Sequence, residues 1–343
     1  MTASSAVPDT MTAWVIADFG GPEVFKSVEQ PVPSPSAGEV LVEVAATSVN
    51  PIDYKLRSGV AEPFAPDRPA ILHGDVAGTV AAVGEGVDAF AVGDRVYGCA
   101  GGFRGAPHGA LADYMPADAD LLAPMPEALS FREAAALPLV ALTAWEALVE
   151  KAAVGPDDHV LVHGATGGVG HVGLQIARAR GATVSVTASS SDALQLAADL
   201  GADHGIRYDQ ESVGDYVERL TGGRGFDVVF DTVGADNVER CFEATRLNGR
   251  MATIAAREAH NLAPAYLKGL SIHTVLMLIP MLHGIDRARH GRILRDVALL
   301  VEAGQLRPLL TDRTFSFDAI GAAHDHAEHG AFHGKVVAER HNV

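Results

Sequence analysis

Three features of the 343-residue sequence predict an α/β protein, a doubly wound parallel sheet with an antiparallel β-barrel beside it. From His159 onward, strand-like and helix-like segments alternate. The first third is rich in valine and cut by proline and glycine turns. The hydrophobic content of 48% and mean hydropathy of +0.15 can fill a sizeable core, and the length suits two domains.

Taken in order, residues 1–10 read as a disordered extension, because "MTASSAVPDT" has no apolar periodicity. "AWVIADF", "EVLVEVAATSV", "ILHGDVAGTVAAVG" and "GDRVYG" are short valine-rich runs between the turn signals "PVPSPSAG", "GEGVDAF" and "GGFRGAPHG". Such runs predict antiparallel strands forming a partly closed barrel over residues 11–135. "FREAAALPLVALTAWEALVEKAAV" then predicts two helices meeting at Pro138.

Over residues 136–279 the segments "HVLVHG", "GHVGLQIARARG", "TVSVTA", "SDALQLAADLG", "HGIRY", "VGDYVERLTG", "FDVVFDTV", "NVERCFEATRL", "GRMATIA" and "SIHTVLML" repeat a βα pattern. Their strands are too uniformly apolar to have a solvent face, as in a parallel sheet covered on both sides. The tail, 280–343, adds the helix "RILRDVALLVEAG", a strand-like "LTDRTFSF", a second helix and the strand "GKVVAER". It lacks a sheet of its own and is expected to rejoin the N-terminal domain.

Composition excludes several classes of function. With 43 acids against 26 bases the formal charge is −17, which repels nucleic acid and anionic membrane. Cys99 and Cys241 stand far apart, in no metal-type spacing, so neither a disulfide framework nor a four-cysteine zinc lobe is expected. The N-terminus has no secretory pattern, and the apolar run Leu270–Ile285 carries two histidines and a proline. A cytoplasmic location fits these features.

The run "LVHGATGGVGHVGLQIARARGATVSVTASSSDA" carries chemistry. Ala165, Gly167 and Gly170 have the spacing of a dinucleotide fingerprint: a tight turn, backbone approach to a pyrophosphate, and close helix packing extended by Gly173. A helix opening at Gly168 or Val169 would aim free N–H groups at the phosphates. About 20 residues on, an NAD site usually has an acid for the ribose hydroxyls. Ser189, Ser190 and Ser191 stand there instead. Hydroxyls accept a 2′-phosphate that an acid would repel, so NADPH is favoured over NADH, with Arg207 and Tyr208 as neighbours of that phosphate. Two other readings stay open: Ser191 as the N-cap of "DALQLAADL", and Asp192 as a displaced ribose anchor for NADH.

The chain resembles the medium-chain dehydrogenase/reductase superfamily, in its zinc-independent quinone oxidoreductase-like branch. "GPEVF", "GEVLVEVAATSVNPIDYKLRSG", "GDVAGTVAAVGEGVDAFAVGDRVYG", "AAALPLVALTAWEAL", "VLVHGATGGVGHVGLQIARARGA", "FDVVFDTVG" and "GKVVA" carry the resemblance. It implies a GroES-like barrel and a Rossmann domain, with nucleotide and substrate in the cleft between them, and a homodimer formed through an edge strand. At the places where zinc-dependent relatives have ligands, this chain has Asn50, Gly74 and Leu139 or Val140, with His73 one position away. No thiolate or imidazole set remains, so no zinc is expected.

Without zinc, hydride transfer to an activated C=C or a quinone suits the residues better than alcohol oxidation. The resemblance places Asn50 near the nicotinamide and Lys55 where enone-reducing relatives have a lysine that donates to the substrate oxygen; Tyr54 is one step away. Ala61 stands where enoyl-thioester reductases have a proton-donating tyrosine, which weakens that alternative. A non-catalytic NADPH-binding scaffold is the other. By position alone, Thr143, Val233, Ala255 and Lys335 match cofactor contacts, and Asp231 lies in the turn before Val233. Leu139, Trp145 and Met277 are candidates to line the substrate space. The histidines of "AHDHAEHGAFHGK", His324, His326, His329 and His333, form a last cluster, three of which would share a helix face.

Overall fold

The computed structural model describes residues 7–340. Two units divide the chain: residues up to Leu139 with Leu278–Ala303 and Leu310 onward, and Val140–Met277 with Gly304–Leu309.

The first unit opens with β1 (Thr10–Ile16), β2 (Lys26–Pro31), β3 (Glu39–Val49), α1 (Pro51–Arg57), β4 (Ala70–Ile71), β5 (Asp75–Val83), β6 (Arg95–Cys99), β7 (Tyr114–Asp118), β8 (Leu122–Pro124) and α2 (Phe131–Ala135). Residues 1–6 of the expected extension lie outside the described residues. Val7 packs on the cluster around Met11 and Leu41, the Asp9 carbonyl accepts from the Val32 N–H, and Thr10 already belongs to β1. The spine is β3, valine-rich and buried over most of its length. It pairs antiparallel with β5 along one side and with β7 along the other, and two register shifts against β5 bend it. Such bulges let a sheet curl into a barrel.

The second unit starts within α3 (Pro138–Trp145), which runs into a π-helical turn at Glu146–Lys151. Pro138 stands at the first position of α3, where its missing N–H has no intrahelical partner to lose. There follow β9 (His159–His163), α4 (Gly168–Ala179), β10 (Thr183–Ala188), α5 (Ser191–Asp199), β11 (His204–Arg207), α6 (Val213–Thr221), β12 (Phe226–Asp231), α7 (Asn237–Ala244), β13 (Thr245–Thr253), α8 (Ala263–Lys268) and β14 (Ser271–Thr274). The six strands are parallel, in the order β11-β10-β9-β12-β13-β14. That is the Rossmann order, which reverses direction beside β9. Every residue of β12 is buried, and Leu161, Ile206, Phe226 and Val229 pack with Tyr216, Val238 and Phe242. The strand expected over "SIHTVLML" stops at Thr274, at the sheet edge; Leu276 is exposed.

The tail supplies α9 (Ile279–His283), α10 (Ala288–Glu302), β15 (Phe315–Ser316), α11 (Ile320–His329) and β16 (Val336–Glu339) to the first unit. There β16 pairs antiparallel with the C-terminal half of β3, Val336 opposite Val49. Of "LTDRTFSF", Phe315 and Ser316 pair with β16 and Leu310 makes an isolated bridge to Lys335. Among the described residues no helix is long and apolar enough to cross a membrane.

Candidate active site

In the second unit the carboxyl ends of the central strands come level, with Thr187, His163, Asp231 and Thr253 as successive register partners. Ligands of open α/β sheets bind outside these ends, where the strand order reverses. The glycine turn lies there, between β9 and α4. Its left-handed residue is Gly164, at φ 71°, one position earlier than the fingerprint spacing indicated. The Gly164 carbonyl accepts from the Gly167 N–H at 3.0 Å and closes the turn, while Ala165 is fully buried under it. A Cβ at Gly170 would overlap the Gly164 carbonyl oxygen, and one at Gly173 would lie 2.7 Å from the Phe230 ring. Gly167 is exposed, and a Cβ there would meet only Gly164. Gly168 and Val169, half-buried, open α4 with Gly167 at the N-cap. This turn suits a pyrophosphate: the first N–H groups of α4 have no partner within the helix, and exposed Gly167 at its N-cap brings no side chain.

Asp231 ties the next turn together. Its Oδ1 accepts from the N–H groups of Val233 and Gly234 at 3.0 and 3.1 Å and from Asn237 Nδ2 at 2.8 Å, and its Oδ2 accepts from Thr253 Oγ1 at 2.8 Å. Val233 is thereby held out at 58% exposure, and a Cβ on Gly234 would lie 2.5 Å from that of Ala255. Val233 and Ala255 therefore flank one turn at the strand ends. Thr143 is buried in α3. His163, whose Nδ1 lies 3.1 Å from Thr187 Oγ1, is kept neutral by burial, its pKa lowered to about 4.

At the outer side of the same strand ends, Ala188 is the register partner of Arg207. Ser189 and Ser191 are exposed, and Ser190 caps α5 by accepting from the Ala193 N–H at 3.1 Å. The capping role considered for Ser191 thus belongs to Ser190. Arg207 Nη1 reaches to 3.5 Å from Ser191 Oγ, and Tyr208 is 50% exposed. The serines and Arg207 therefore share one corner. Arg207 also grips Asp209, which spacing did not single out.

In the first unit Asn50 is the N-cap of α1, with Pro51 behind it, and its side chain is buried. Its amide is spent on two charges. Lys335 Nζ donates to Asn50 Oδ1 and, at 3.2 Å, to the Val49 carbonyl; Asn50 Nδ2 donates to Asp75 Oδ2 at 2.8 Å. An ammonium only donates and a carboxylate only accepts, so this pairing fixes which end of the amide is oxygen. The Asp75 carboxylate also accepts from Ser48 Oγ at 2.6 Å and the Leu139 N–H at 2.8 Å, with Lys335 Nζ 3.8 Å away. One buried acid thus joins β3, β5, β16 and the start of α3. The Asn50 N–H donates to Asp53 Oδ2 at 2.7 Å, and burial raises the Asp53 pKa to about 7.

Lys335, read as a cofactor contact, is 3% exposed with its ammonium directed inward at Asn50. Asn50 sits at the β3–α1 turn with its amide engaged by Lys335 and Asp75. Tyr54 and Lys55 lie half-buried on α1, on a different face from buried Asp53 and Leu56. Asp53 had a legible signal, the Asn-x-x-Asp capping pattern of "NPID". Asp75 had a weaker one, an acid opening an apolar strand.

His73 adjoins this hub in a left-handed conformation, φ 75°. Thr47 Oγ1 donates to the Asp75 carbonyl at 2.5 Å, so its 3.2 Å contact with His73 Nδ1 requires that nitrogen to carry the proton. His73 Nε2 then accepts from His324 Nε2 at 2.7 Å. Burial keeps both rings neutral, lowering the His73 pKa to about 3. The remaining histidines disperse: α11 ends at His329, before His333, and His326 stacks on Phe315 and Phe332. Among the described residues no three His, Cys, Asp or Glu side chains converge as a metal set. The zinc places do not fit zinc. Asn50 Oδ1 is taken by an ammonium, and a Cβ at Gly74 would lie 2.5 Å from the Phe103 ring and 2.9 Å from Cys99 Sγ.

Comparison with known proteins bears on both units. Residues 36–127 match the alcohol dehydrogenase GroES-like domain and residues 168–280 the zinc-binding dehydrogenase family. The chain is 32% identical to a 2-methylene-furan-3-one reductase of Solanum lycopersicum, over 98% of this chain and 81% of that one. It is 38% identical to a quinone oxidoreductase of Salmonella typhimurium, over 68% of this chain and 69% of the relative. A crystal structure of an alcohol dehydrogenase superfamily protein from Novosphingobium aromaticivorans superposes with a TM-score of 0.91 at 40% identity, covering 96% of this chain and 99% of that one.

Proposed function

Because the chain belongs to the medium-chain dehydrogenase/reductase superfamily, among the quinone oxidoreductases and their relatives, we propose that it is an NADPH-dependent, zinc-independent reductase of quinones or of the C=C bond of α,β-unsaturated carbonyls. The observation that carries the reading is the glycine cradle at the reversal of strand order, with Arg207 and the serines at its outer corner. Relatives named quinone oxidoreductase and 2-methylene-furan-3-one reductase support the substrate class.

When bound, the dihydronicotinamide supplies a hydride. The N–H groups at the start of α4 hold the pyrophosphate, and Gly170 keeps the turn against the helix. Ser191, Arg207 and Tyr208 receive the 2′-phosphate, a guanidinium being well matched to a phosphate. Val233, Ala255 and Thr143 complete the cofactor contacts. Lys55, with Tyr54 beside it on α1, donates to the substrate oxygen as negative charge develops there, which lowers the barrier without a metal. Asn50, Asp75 and Lys335 keep the turn that carries α1 in place. Ala61, buried at 7% exposure, offers no phenol for the thioester-reductase route. The enzyme is cytoplasmic and takes a small electrophile as substrate. It forms a homodimer through the edge strand β14, near which Tyr266, Leu267 and Leu276 are exposed.

The test is cofactor oxidation at 340 nm, a wavelength set by the dihydronicotinamide, with NADPH and NADH against a panel of quinones, enones, alkenals and an enoyl-CoA. NADPH consumption with the first three classes is expected. No turnover across the panel, with tight NADPH binding, would point instead to a scaffold.

A further inference from the structure

One charged group at the dinucleotide corner is not explained by cofactor binding. The chain leaves β10 through Ser189–Ser191 and leaves β11 through Tyr208 and Asp209, side by side because Ala188 and Arg207 are register partners. Arg207 lies there, its Nη1 3.5 Å from Ser191 Oγ. Its Nε and Nη2 donate to the two carboxylate oxygens of Asp209 at 2.9 and 2.7 Å. This two-point fork is also how a guanidinium grips a phosphate. Exposed Asp192 opens α5 directly after Ser191, so a second carboxylate stands on the neighbouring loop before any ligand arrives.

We propose that Asp209 is a specificity-determining residue of this site, an internal counter-anion that holds the Arg207 fork until the 2′-phosphate takes it over. The inference rests on the NADPH reading above. The exchange is feasible because the Asp209 side chain is the more exposed partner, 42% against 25% for Arg207, so the released carboxylate finds water at once. Its charge stays near the phosphate and opposes it. NADH brings no phosphate, leaves the pair closed and meets no such opposition. Asp209 therefore acts against one cofactor alone and sets how far NADPH is preferred.

The experiment measures the Kd and kcat/KM of both cofactors for the full-length protein and for Asp209→Asn, Asp209→Glu and Arg207→Gln, at low and high salt. Asp209→Asn is expected to tighten NADPH about two- to fivefold, the size of one exposed charge interaction, and to leave NADH unchanged. The gain shrinks at high salt, where such charges are screened, and Asp209→Glu stays like the parent. An Asp209→Asn variant that binds NADPH no better, or less well, overturns the proposal while the NADPH reading stands. If the parent prefers NADH and Arg207→Gln changes neither cofactor, the NADPH reading itself fails, and the proposal with it.

Discussion

Removing either charge beneath Asn50 tests whether Lys335 and Asp75 act as a pair. At 3.8 Å and an effective dielectric of about 20, the gross attraction is about 4 kcal/mol. Both side chains are almost fully buried, so whichever charge is left behind has little water to turn to. Lys335→Met leaves Asp75 with neutral donors only and strips Asn50 Oδ1 of its ammonium. Asp75→Asn turns an amide N–H toward the Ser48 and Asn50 donors or toward the Leu139 N–H. Each single change should cost about 3 kcal/mol, a large share of a domain's stability. The double variant carries neither charge and should lose about 4 kcal/mol rather than about 6, a coupling of about 2 kcal/mol. The assay is urea unfolding in a Trp145→Phe background, so that Trp14, packed edge-on against Phe317, reports the first unit alone. Losses that add to within about 0.5 kcal/mol would refute the pairing and leave Lys335 a mere donor to Asn50.

Two further outcomes follow from the same geometry. Gly170→Ala places a methyl on the Gly164 carbonyl; it should raise the Kd for NADPH at least about tenfold, read by dihydronicotinamide fluorescence, and lower turnover in parallel. Acid should destabilise the fold: His73 and His163, with folded pKa values of about 3 and 4, and His324, shifted the same way, take up protons in the unfolded chain below about pH 6.5 but not in the folded one. Each removes about 1.4 kcal/mol per pH unit below that point. Asp53 works the other way: it stays protonated up to about pH 7 when folded, so its contribution grows as pH falls from 7 toward 3.8. The net trend is loss on acidification, and His73→Gln should flatten the change in urea midpoint between pH 7.5 and 5.5; an unchanged slope would contradict the neutral-ring assignment.

The parallel sheet was legible because its strands are short apolar runs, each followed by a helical pattern; the strand order was not, since doubly wound sheets with the same repeat take more than one order. The glycine cradle was legible as spacing, but the residue in the left-handed turn was not, since "HGATGG" offers Gly164 and Ala165 in succession and spacing weighs both alike. What remained hidden depends on strand register. Lys335 meets Asn50 across 285 positions because β16 pairs with β3 at Val49, and nothing local in "GKVVA" announces that pairing. The His73–His324 contact, 251 positions apart, is hidden for the same reason. "LTDRTFSF" alternates like a strand, yet it pairs only in pieces, Leu310 by an isolated bridge to Lys335 and Phe315 and Ser316 with β16, because pairing needs a free edge as well as a pattern.

The same logic explains why adding ligands back should not make this chain a zinc enzyme. A thiol at Asn50 would stand beside the Lys335 ammonium and surrender the amide that spans it and Asp75. A side chain at Gly74 would run into Phe103, Cys99 Sγ and the Gly101 carbonyl, all within 3.0 Å of where its Cβ must go. Phe103 and Cys99 are fully buried, so neither can swing aside, and overpacking of this kind costs roughly 1–3 kcal/mol or more. An Asn50→Cys/Gly74→His variant should therefore unfold at markedly lower urea than the parent and carry no zinc above background by elemental analysis. One zinc per chain in a variant of parental stability would show that the barrel accepts the metal after all, and that Phe103 and Lys335 are neighbours of the site rather than the reason it is closed to zinc.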